Sequence, residues 1–445
     1  MGGPQRAGGF GTDPLLKLLK ELVEIDSIND PERGEKPSRD CADFIRELLK
    51  ERGISSQLME SDGFFTVRGV LGKEEPEILL MSHWDVVPPG SDSRWRYPPL
   101  SLTVTDDRAY GRGAVDDKGN VAAIVTALPD ILERIGEGLA FAFTGDEEIG
   151  GRNGAGVLAT EMVPRFVVNG DGLGLEIINR RRNYFRLEVT APTTSRRTRG
   201  EVEVIRFNTE TRGRETRHSA YFVPGVDSHA LLAGSEYALR EGLTLTSIDG
   251  NFIKDNVIPD EVEIEFVREA RTGGNLVVDD NLTGIMKGLL PLSRISFATD
   301  PSVYGINVLP NFYWRDDSHH FKVDIRAMTA DPEVVLQAAE AAIHEFVPEA
   351  SLEIVAGAGC LITEPECRLV AIAREVASSL GIPPRVVERQ GASDSRYFSS
   401  RGIECLDFGP QGGNIHGPNE FIVLSSLERV TKFYTELVTR LAGSE

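Results

Sequence analysis

The stretch AYGRGAVDDKGN, at residues 109–120, places two adjacent aspartates, Asp116 and Asp117, directly after a glycine-rich turn. Adjacent carboxylates repel each other unless hydrogen bonds or positive charge compensate them. The stretch lacks the GxxxxGK[ST] spacing of a phosphate-binding loop, and GDGLGL at 170–175 has Leu175 where a dinucleotide-binding turn needs its third glycine. A solvated acidic turn and a metal site both remain open on this stretch alone.

The segments on either side of this turn alternate between strand and helix patterns. EILLMSHWDVV, LAFAFTGDEE and RFVVNGDG contain short apolar runs typical of buried strands, and KGNVAAIVTALPDILERIG reads as a helix that Pro129 is expected to disturb. This alternation predicts an α/β domain with a mixed, mostly parallel sheet and helices on both faces.

A second pattern begins near residue 178. NYFRLEVT, EVEVIRF, VEIEFVREA and HHFKVDIRAM alternate as half-buried strands, and VVLQAAEAAIHEFV reads as a helix. The α/β pattern then returns from Cys360 to the closing helix. We therefore expect a discontinuous domain formed by residues 1–177 and 360–445, with an α+β domain, 178–359, inserted into it.

Composition narrows the class of protein. The 445 residues are 40% hydrophobic, which suits a globular protein, and the formal net charge of −21 argues against nucleic acid or an anionic membrane as a partner. The four cysteines show no CxxC spacing and are expected to be free thiols. Residues 1–12 lack the apolar segment of a signal peptide and are expected to form a loose tail. We expect a cytoplasmic protein.

Ionisable residues cluster where the predicted strands end. In an open α/β sheet, ligands bind at the carboxyl ends of the strands. The residues expected there are His83, Asp116, Glu147, Glu148 and Asp171. Carboxylates gathered around an imidazole need a cation. Mixed nitrogen and oxygen ligands suit Zn²⁺, with Co²⁺ or Mn²⁺ as alternatives, and a bridging carboxylate would give a two-metal hydrolytic site.

Six motifs together resemble those of a known family. They are SHWDVVP, GRGAVDDKG, TGDEEIGG, NGDG, GASDSRYF and FGPQGGNIHGPNE. The chain resembles the cocatalytic zinc metallopeptidases that include acetylornithine deacetylase, succinyl-diaminopimelate desuccinylase, aminoacylase and the glutamate-releasing carboxypeptidases. The resemblance implies two divalent metal ions and hydrolysis of a linear amide bond.

The resemblance also assigns roles to individual residues. Metal binding falls to five of them: His83, Asp116, Glu148, Asp171 and His416. Asp116 would bridge the two ions, Asp85 would orient His83, and Glu147 would act as the general base. The chemistry of two adjacent glutamates does not by itself say which is the base and which the ligand.

The sequence of the inserted segment matches the family less closely than the six motifs do. His218, in RHSAYFVPGVDSHALL, matches the family histidine that polarises the scissile carbonyl, and it would reach into a partner's site in a homodimer whose lid domains pair. Arg396, Arg326 and Asn307 are candidates for substrate binding, because arginine can hold a carboxylate in a forked grip. His229 is expected to be structural. The arginine-rich residues 191–214 depart from the family pattern and leave the substrate open.

These observations predict an amide hydrolase acting on a small N-acyl amino acid. A dipeptidase or carboxypeptidase acting on short peptides is the alternative, and a catalytically inactive, ligand-binding relative is a more remote one.

Overall fold

The computed structural model describes residues 13–31, 33–72, 75–212 and 217–443. The expected tail at residues 1–12 and part of the arginine-rich segment lie outside the described residues. The chain divides into two compact units. Unit 1 comprises Met1–Arg181, Leu361–Arg389 and Ser393–Glu445, and unit 2 comprises Arg182–Cys360 and Gln390–Ala392.

Ten α-helices lie in the described part of the chain. They are α1 (Pro14–Glu24), α2 (Asp40–Glu51), α3 (Lys118–Ile135), α4 (Ala155–Glu161), α5 (Ala230–Glu241), α6 (Asp280–Leu292), α7 (Pro332–His344), α8 (Arg368–Ser379), α9 (Arg396–Ser399) and α10 (Leu424–Gly443). Helix α3 continues through Pro129, so the expectation that this proline disturbs the helix is wrong. Its residues from Lys118 to Val125 are buried on all sides of the helix, so tertiary packing holds the helix despite the missing N–H of Pro129.

Twenty-one strands complete the described elements. They are β1 (Gln57–Ser61), β2 (Phe64–Leu71), β3 (Ile78–His83), β4 (Thr103–Thr105), β5 (Arg108–Tyr110), β6 (Leu139–Thr144), β7 (Phe166–Asn169), β8 (Ile177–Arg181), β9 (Asn183–Pro192), β10 (Arg196–Asn208), β11 (Thr244–Gly250), β12 (Glu261–Glu269), β13 (Gly274–Val278), β14 (Asn307–Arg315), β15 (Ser318–Ala327), β16 (Ser351–Ala356), β17 (Leu361–Ile362), β18 (Val386–Arg389), β19 (Glu404–Asp407), β20 (Gly412–Gly413) and β21 (Phe421–Val423).

Unit 1 is built on a nine-stranded sheet in the order β1-β2-β6-β3-β7-β19-β8-β17, with β18 also paired to β8. The central strands are parallel: β3 pairs in parallel with β6 and β7, and β19 with β7. The strands at both edges add antiparallel pairs, such as β1 with β2 and β8 with β17. The sheet is therefore mixed, and a mostly parallel character is not confirmed beyond its centre. Every residue of β3 and β6 is buried, as expected for strands covered on both faces.

A small second sheet in unit 1 joins two segments that are far apart in sequence. Its order is β20-β21-β5-β4, and β21 pairs with β5 so that Phe421 lies opposite Tyr110. The glycine-rich turn at 111–117 follows β5, and the loop at 414–420 connects β20 to β21. This sheet therefore brings the acidic turn beside the loop that carries His416.

Unit 2 contains two four-stranded antiparallel sheets, in the orders β11-β12-β10-β13 and β14-β15-β9-β16. Helices α5, α6 and α7 contribute to the same apolar core as both sheets, through residues such as Leu231, Leu289 and Ile343. The alternating burial of β9 matches its alternating sequence.

Candidate metal centre

Three neighbouring parallel strands end at the same edge of the large sheet. His83 is the last residue of β3 and lies opposite Thr144, the last residue of β6. A single 3-10 turn after β6 carries Glu147 and Glu148, and Asp171 follows the end of β7. The pairing of these strands therefore brings their terminal acids to one place.

The acidic pair at the start of α3 divides between two environments. Asp117 turns inward: its carboxylate accepts hydrogen bonds from the Ser82 hydroxyl and from Asn120 Nδ2. Burial raises the pKa of Asp117 to about 7. Asp116 turns instead toward the ends of the strands, and the peptide bond between the two residues is cis.

Asp116 lies between two histidines. Its Oδ1 is 3.2 Å from His83 Nε2, and its Oδ2 is 3.1 Å from His416 Nε2. The same nitrogen of His416 lies 3.0 Å from Glu148 Oε2. The two oxygens of one carboxylate therefore face two different imidazoles.

Two overlapping groups have the spacing of metal ligands. Ligand atoms of His83, Asp116 and Glu148 all lie within 4.8 Å of one another, and so do those of His83, Glu147 and Asp171. The structure thus brings together all six predicted residues of the centre, including His416 through its contacts with Asp116 and Glu148. Glu147 is close enough to His83 and Asp171 that distance alone does not separate a base from a ligand.

Asp85 contacts both His83 and the 3-10 turn that carries Glu147 and Glu148, the glutamate turn. His83 Nδ1 lies 3.1 Å from the backbone oxygen of Asp85 and 3.4 Å from its Oδ1. The Asp85 carboxylate accepts the backbone N–H groups of Glu147 and Glu148, each at 3.2 Å, and is further held by Asn29 Nδ2 at 2.9 Å. Acceptors on the Nδ1 side direct the Nε2 atom of His83 toward Asp116.

The carboxylates of the centre outnumber the cations available to them. Burial raises the pKa of Glu147 well above its ordinary value, and the charge of Asp171 adds to this shift. Burial also raises the pKa of Asp171, despite the opposing charge of Arg181. Burial opposes the charge on His83, but hydrogen bonds to Asp116 and Asp85 raise the pKa of the imidazole well above its usual range.

The donor set fits a pair of divalent cations. It combines imidazole nitrogens with carboxylate oxygens, the ligands that zinc and related ions use in catalytic sites. Glu148 Oε1 is buried and has no hydrogen-bond partner, which leaves an oxygen in the centre available to an ion. The shared carboxylate of Asp116 provides the bridge that a two-metal site requires.

Arg396 is buried at the start of α9 and contacts the glycine turn that follows Glu147 and Glu148. Its Nη2 donates to the backbone oxygen of Gly150 at 2.6 Å, an oxygen that also accepts from the Tyr397 hydroxyl at 2.6 Å. Another contact of Nη2 is Asp394 Oδ1, at 4.0 Å. One arm of the guanidinium therefore supports the glycine turn that follows the two glutamates.

The remaining predicted residues belong to unit 2. His218 Nδ1 accepts the backbone N–H of Ala220 at 3.1 Å, and its Nε2 lies 3.4 Å from Asn256 Nδ2. Asn307 and Arg326 face each other in the pairing of β14 with β15. Asn307 Nδ2 donates to the side chain of Gln390 at 2.8 Å.

Arg326 already has a carboxylate partner within unit 2. Its Nε and Nη2 donate to the two oxygens of Asp324 at 2.7 and 2.9 Å, and its guanidinium lies over the ring of Tyr184. His229, expected to be structural, is buried with its Nε2 3.1 Å from Asn311 Oδ1. Burial lowers the pKa of His229 to about 4.

Sequence reasoning missed two charged residues that contact the centre. Arg181 Nη2 lies 3.3 Å from Asp171 Oδ1, and the Nε of the same arginine donates to Asp407. Glu420 accepts the backbone N–H groups of Val115 and Asp116. Glu420 stands in the quoted motif NIHGPNE, but its spacing from the aspartates gives no signal of contact. Arg181, in NRRRNY, carries no distinguishing sequence signal.

A cluster of imidazole and carboxylate groups at strand ends is an arrangement that metal-dependent hydrolases use. The model of the peptidase family M20/M25/M40 matches residues 79–440, so the chain belongs to this family and is a hydrolase of amide bonds. The chain is 26% identical over 438 residues to a succinyl-diaminopimelate desuccinylase of Alkalilimnicola ehrlichii, covering 96% of this chain and 99% of that protein.

Solved structures share the fold. An M20 family metallo-carboxypeptidase from Sulfolobus solfataricus matches with a TM-score of 0.62 and 18% identity, covering 96% of this chain and 99% of that one. An aminoacylhistidine dipeptidase from Vibrio alginolyticus matches with a TM-score of 0.66 and 14% identity, covering 96% of each chain. No helix in the described ranges is both long and apolar enough to cross a membrane.

Proposed function

We propose that the chain hydrolyses the amide bond of a small N-acyl amino acid by using two divalent metal ions. The observation that carries this proposal is Asp116, whose two oxygens face His83 and His416 at 3.2 and 3.1 Å. A carboxylate held between two imidazoles is the arrangement that a pair of bridged ions needs.

The ligands divide into two sets around Asp116. His83 and Asp171 would complete the site of one ion, and Glu148 and His416 the site of the other. Zn²⁺ is the first candidate, with Co²⁺ or Mn²⁺ as alternatives. When bound, the ions would lower the pKa of the attacking water from 15.7 to about 7 and polarise the scissile carbonyl.

Glu147 is the proposed general base. It lies on the same 3-10 turn as Glu148, so its carboxylate stands beside the proposed ligands, where it can accept and then return a proton. Glu147 would take a proton from the attacking water and deliver it to the leaving nitrogen. A C–O bond forms, the C–N bond breaks, and the products are a carboxylate and an amine. Asp85 would keep His83 and the glutamate turn in position.

His218 is the proposed donor to the oxygen that becomes negative in the transition state. Its Nδ1 accepts the Ala220 N–H, and its Nε2, beside the amide of Asn256, is the nitrogen proposed to face the substrate. We propose that it acts in the partner's site of a homodimer, because a symmetric pair supplies one such donor to each site. Arg396, Arg326 and Asn307 are the proposed substrate-binding residues; to bind substrate, Arg326 would have to exchange its contact with Asp324, and Asn307 its contact with Gln390.

Mixing subunits tests this arrangement. Inactive His218→Ala and Glu147→Ala proteins should regain activity when their subunits exchange, because a mixed dimer contains one site with neither change. Exchange without recovery would place His218 in its own chain's site or outside the reaction.

A second candidate is the hydrolysis of short peptides. The names of the two solved structures, a carboxypeptidase and a dipeptidase, support it, whereas the desuccinylase supports the acyl amino acid. The four free cysteines support a cytoplasmic location in either case.

A substrate panel separates the candidates. Protein stripped with a chelator and reloaded with Zn²⁺, Co²⁺ or Mn²⁺ would be given N-succinyl and N-acetyl amino acids and dipeptides. The proposal predicts the highest kcat/KM on an N-acyl amino acid and no activity without metal. A preference for dipeptides would select the second candidate, and metal binding without cleavage of any member would indicate the ligand-binding relative. Glu147→Gln is the control for contaminating activity.

A further inference from the structure

Glu420 joins the two segments that carry the bridging aspartate and the second histidine. The residue ends the loop at 414–420 and directly precedes β21, and its side chain is fully buried. Its Oε1 accepts the backbone N–H of Val115 at 3.0 Å and that of Asp116 at 3.2 Å. The main chain adds a further link, because Gly111 N donates to the backbone oxygen of Glu420 at 3.0 Å.

The other oxygen of Glu420 has a buried cationic partner. Arg112 Nη1 donates to Glu420 Oε2 at 2.6 Å, and the arginine side chain is 1% exposed. Trp95 covers the guanidinium, whose carbon lies 5.4 Å from the centroid of the ring. Charged hydrogen bonds of this kind are shorter and stronger than neutral ones, so the carboxylate is held firmly against the turn.

The loop that contains His416 needs such support. Asn414, His416 and Asn419 all have a φ of 58°, in the left-handed region that residues other than glycine rarely adopt. Such conformations persist only where the surrounding structure holds them. Asn414 Nδ2 donates to the backbone oxygen of Asn419 at 3.1 Å, so the loop is closed just before Glu420.

We infer that Glu420 is a positioning residue for the metal centre, which it serves by fixing the Asp116 backbone relative to the His416 loop. Without it, Asp116 would lose the acceptor that holds its backbone N–H, and its carboxylate would no longer face both histidines. Glu420 and Arg112 act as one unit in this role. The inference rests on the proposed two-metal function.

Metal binding to the folded protein provides the test. Wild-type protein stripped of metal would be titrated with Zn²⁺ by calorimetry, and with Co²⁺ by its visible absorption, which reports ligand geometry. Glu420→Ala should weaken the binding of at least one ion by about 10–100-fold, the usual cost of losing a residue that supports a ligand. The Co²⁺ spectrum should change as well. Arg112→Lys, which keeps the charge, should lose less affinity than Arg112→Ala.

Asp279→Ala is the matched control. Asp279 is also a buried carboxylate with two backbone N–H partners, Thr194 at 3.1 Å and Leu282 at 3.0 Å, and with a basic partner, His319 Nε2, at 2.8 Å. It lies in unit 2, so its loss should lower the melting temperature without changing affinity for Zn²⁺. If both variants lose stability and neither loses affinity, Glu420 is only a core ion pair and the inference is wrong.

The wild-type titration separates this result from failure of the proposed function. Wild-type protein that binds fewer than two ions would contradict the two-metal proposal itself. If Glu420→Ala does not fold, Glu420→Asp gives the answer, because its shorter side chain keeps the charge but draws the acceptor back from the two N–H groups. Unchanged affinity and an unchanged Co²⁺ spectrum in Glu420→Asp and in Arg112→Ala would then overturn the inference.

Discussion

The two histidines of the metal centre are held in different ways. His83 ends a strand that has a parallel neighbour on each side, and its side chain is 2% exposed. His416 lies on a loop in the left-handed region, and its side chain is 26% exposed. The sheet fixes the first histidine, whereas local contacts around Glu420 and Asn414 fix the second.

The metal centre therefore combines one histidine fixed by a buried sheet with another whose position depends on contacts within a loop. On the His83 side, Asp85 ties the imidazole to the turn that carries both glutamates. On the His416 side, the buried ion pair of Glu420 with Arg112 and the contact of Asn414 with Asn419 support the loop. We therefore expect changes on the two sides to have different consequences for folding and for metal binding.

The largest effect is expected at the glutamate turn. Glu147→Gln removes the proposed base and should lower kcat by about 10²–10⁴-fold. Its metal content should stay close to wild type. Glu148→Gln should instead lower metal occupancy, because Glu148 approaches His416 at 3.0 Å. Kinetics together with metal analysis of each variant make the measurement. Loss of metal in Glu147→Gln with occupancy retained in Glu148→Gln would require the two roles to be exchanged.

The histidines themselves should differ in their effect on folding. In metal-free protein, His83→Ala should lower the free energy of unfolding by about 1–3 kcal/mol more than His416→Ala, because it leaves the buried backbone oxygen of Asp85 without its Nδ1 donor. Both variants should lose metal. Urea unfolding with a chelator present measures the difference, and equal losses would mean that the sheet does not hold His83 more firmly than the loop holds His416.

A third histidine, His229, provides a further comparison, because its Nε2 contacts an amide oxygen, that of Asn311, instead of a carboxylate. Burial lowers the pKa of His229 from 6.5 to about 4, so the folded chain favours the neutral ring. An unfolded chain binds a proton below about pH 6.5 that the folded chain does not bind until about pH 4. The stability from this group is therefore complete above that window and is lost as the pH falls through it, with a slope of at most about 1.4 kcal/mol per pH unit.

Unfolding of the metal-free protein at several pH values tests this expectation. His229→Gln should show a shallower loss of stability between pH 6.5 and 4 than wild type, with unchanged affinity for Zn²⁺. Identical pH profiles would mean that the imidazole does not stay neutral in the folded chain. A changed affinity for Zn²⁺ would connect His229 to the metal centre and would contradict a purely structural role for this histidine.

The residues of the centre that lie at strand ends could be predicted from the sequence. Buried runs ending at His83, before Glu147 and before Asp171 predict neighbouring strand ends, and parallel pairing brings such ends together. The position of His416 could not be predicted in this way. It is set by a two-residue strand and a loop with left-handed residues, and neither has a recognisable sequence pattern. Only the resemblance to a family pointed to it.

The residues that support the ligands were the hardest to predict. Glu420 lies 304 residues from the Asp116 whose N–H it accepts, and Arg181 lies 226 residues from Asp407, so no local spacing signals either contact. The prediction that Pro129 disturbs α3 was wrong for a related reason. Tertiary packing around a buried helix outweighs a local preference that sequence alone can read.

Anomalous diffraction from crystals soaked in Zn²⁺, measured at the zinc absorption edge, tests whether Asp116 bridges two metal ions. We expect two peaks about 3.5–4 Å apart, both contacting Asp116. One should also contact His83 and Asp171, and the other Glu148 and His416. A single peak, or two peaks that do not share Asp116, would contradict the two-metal centre.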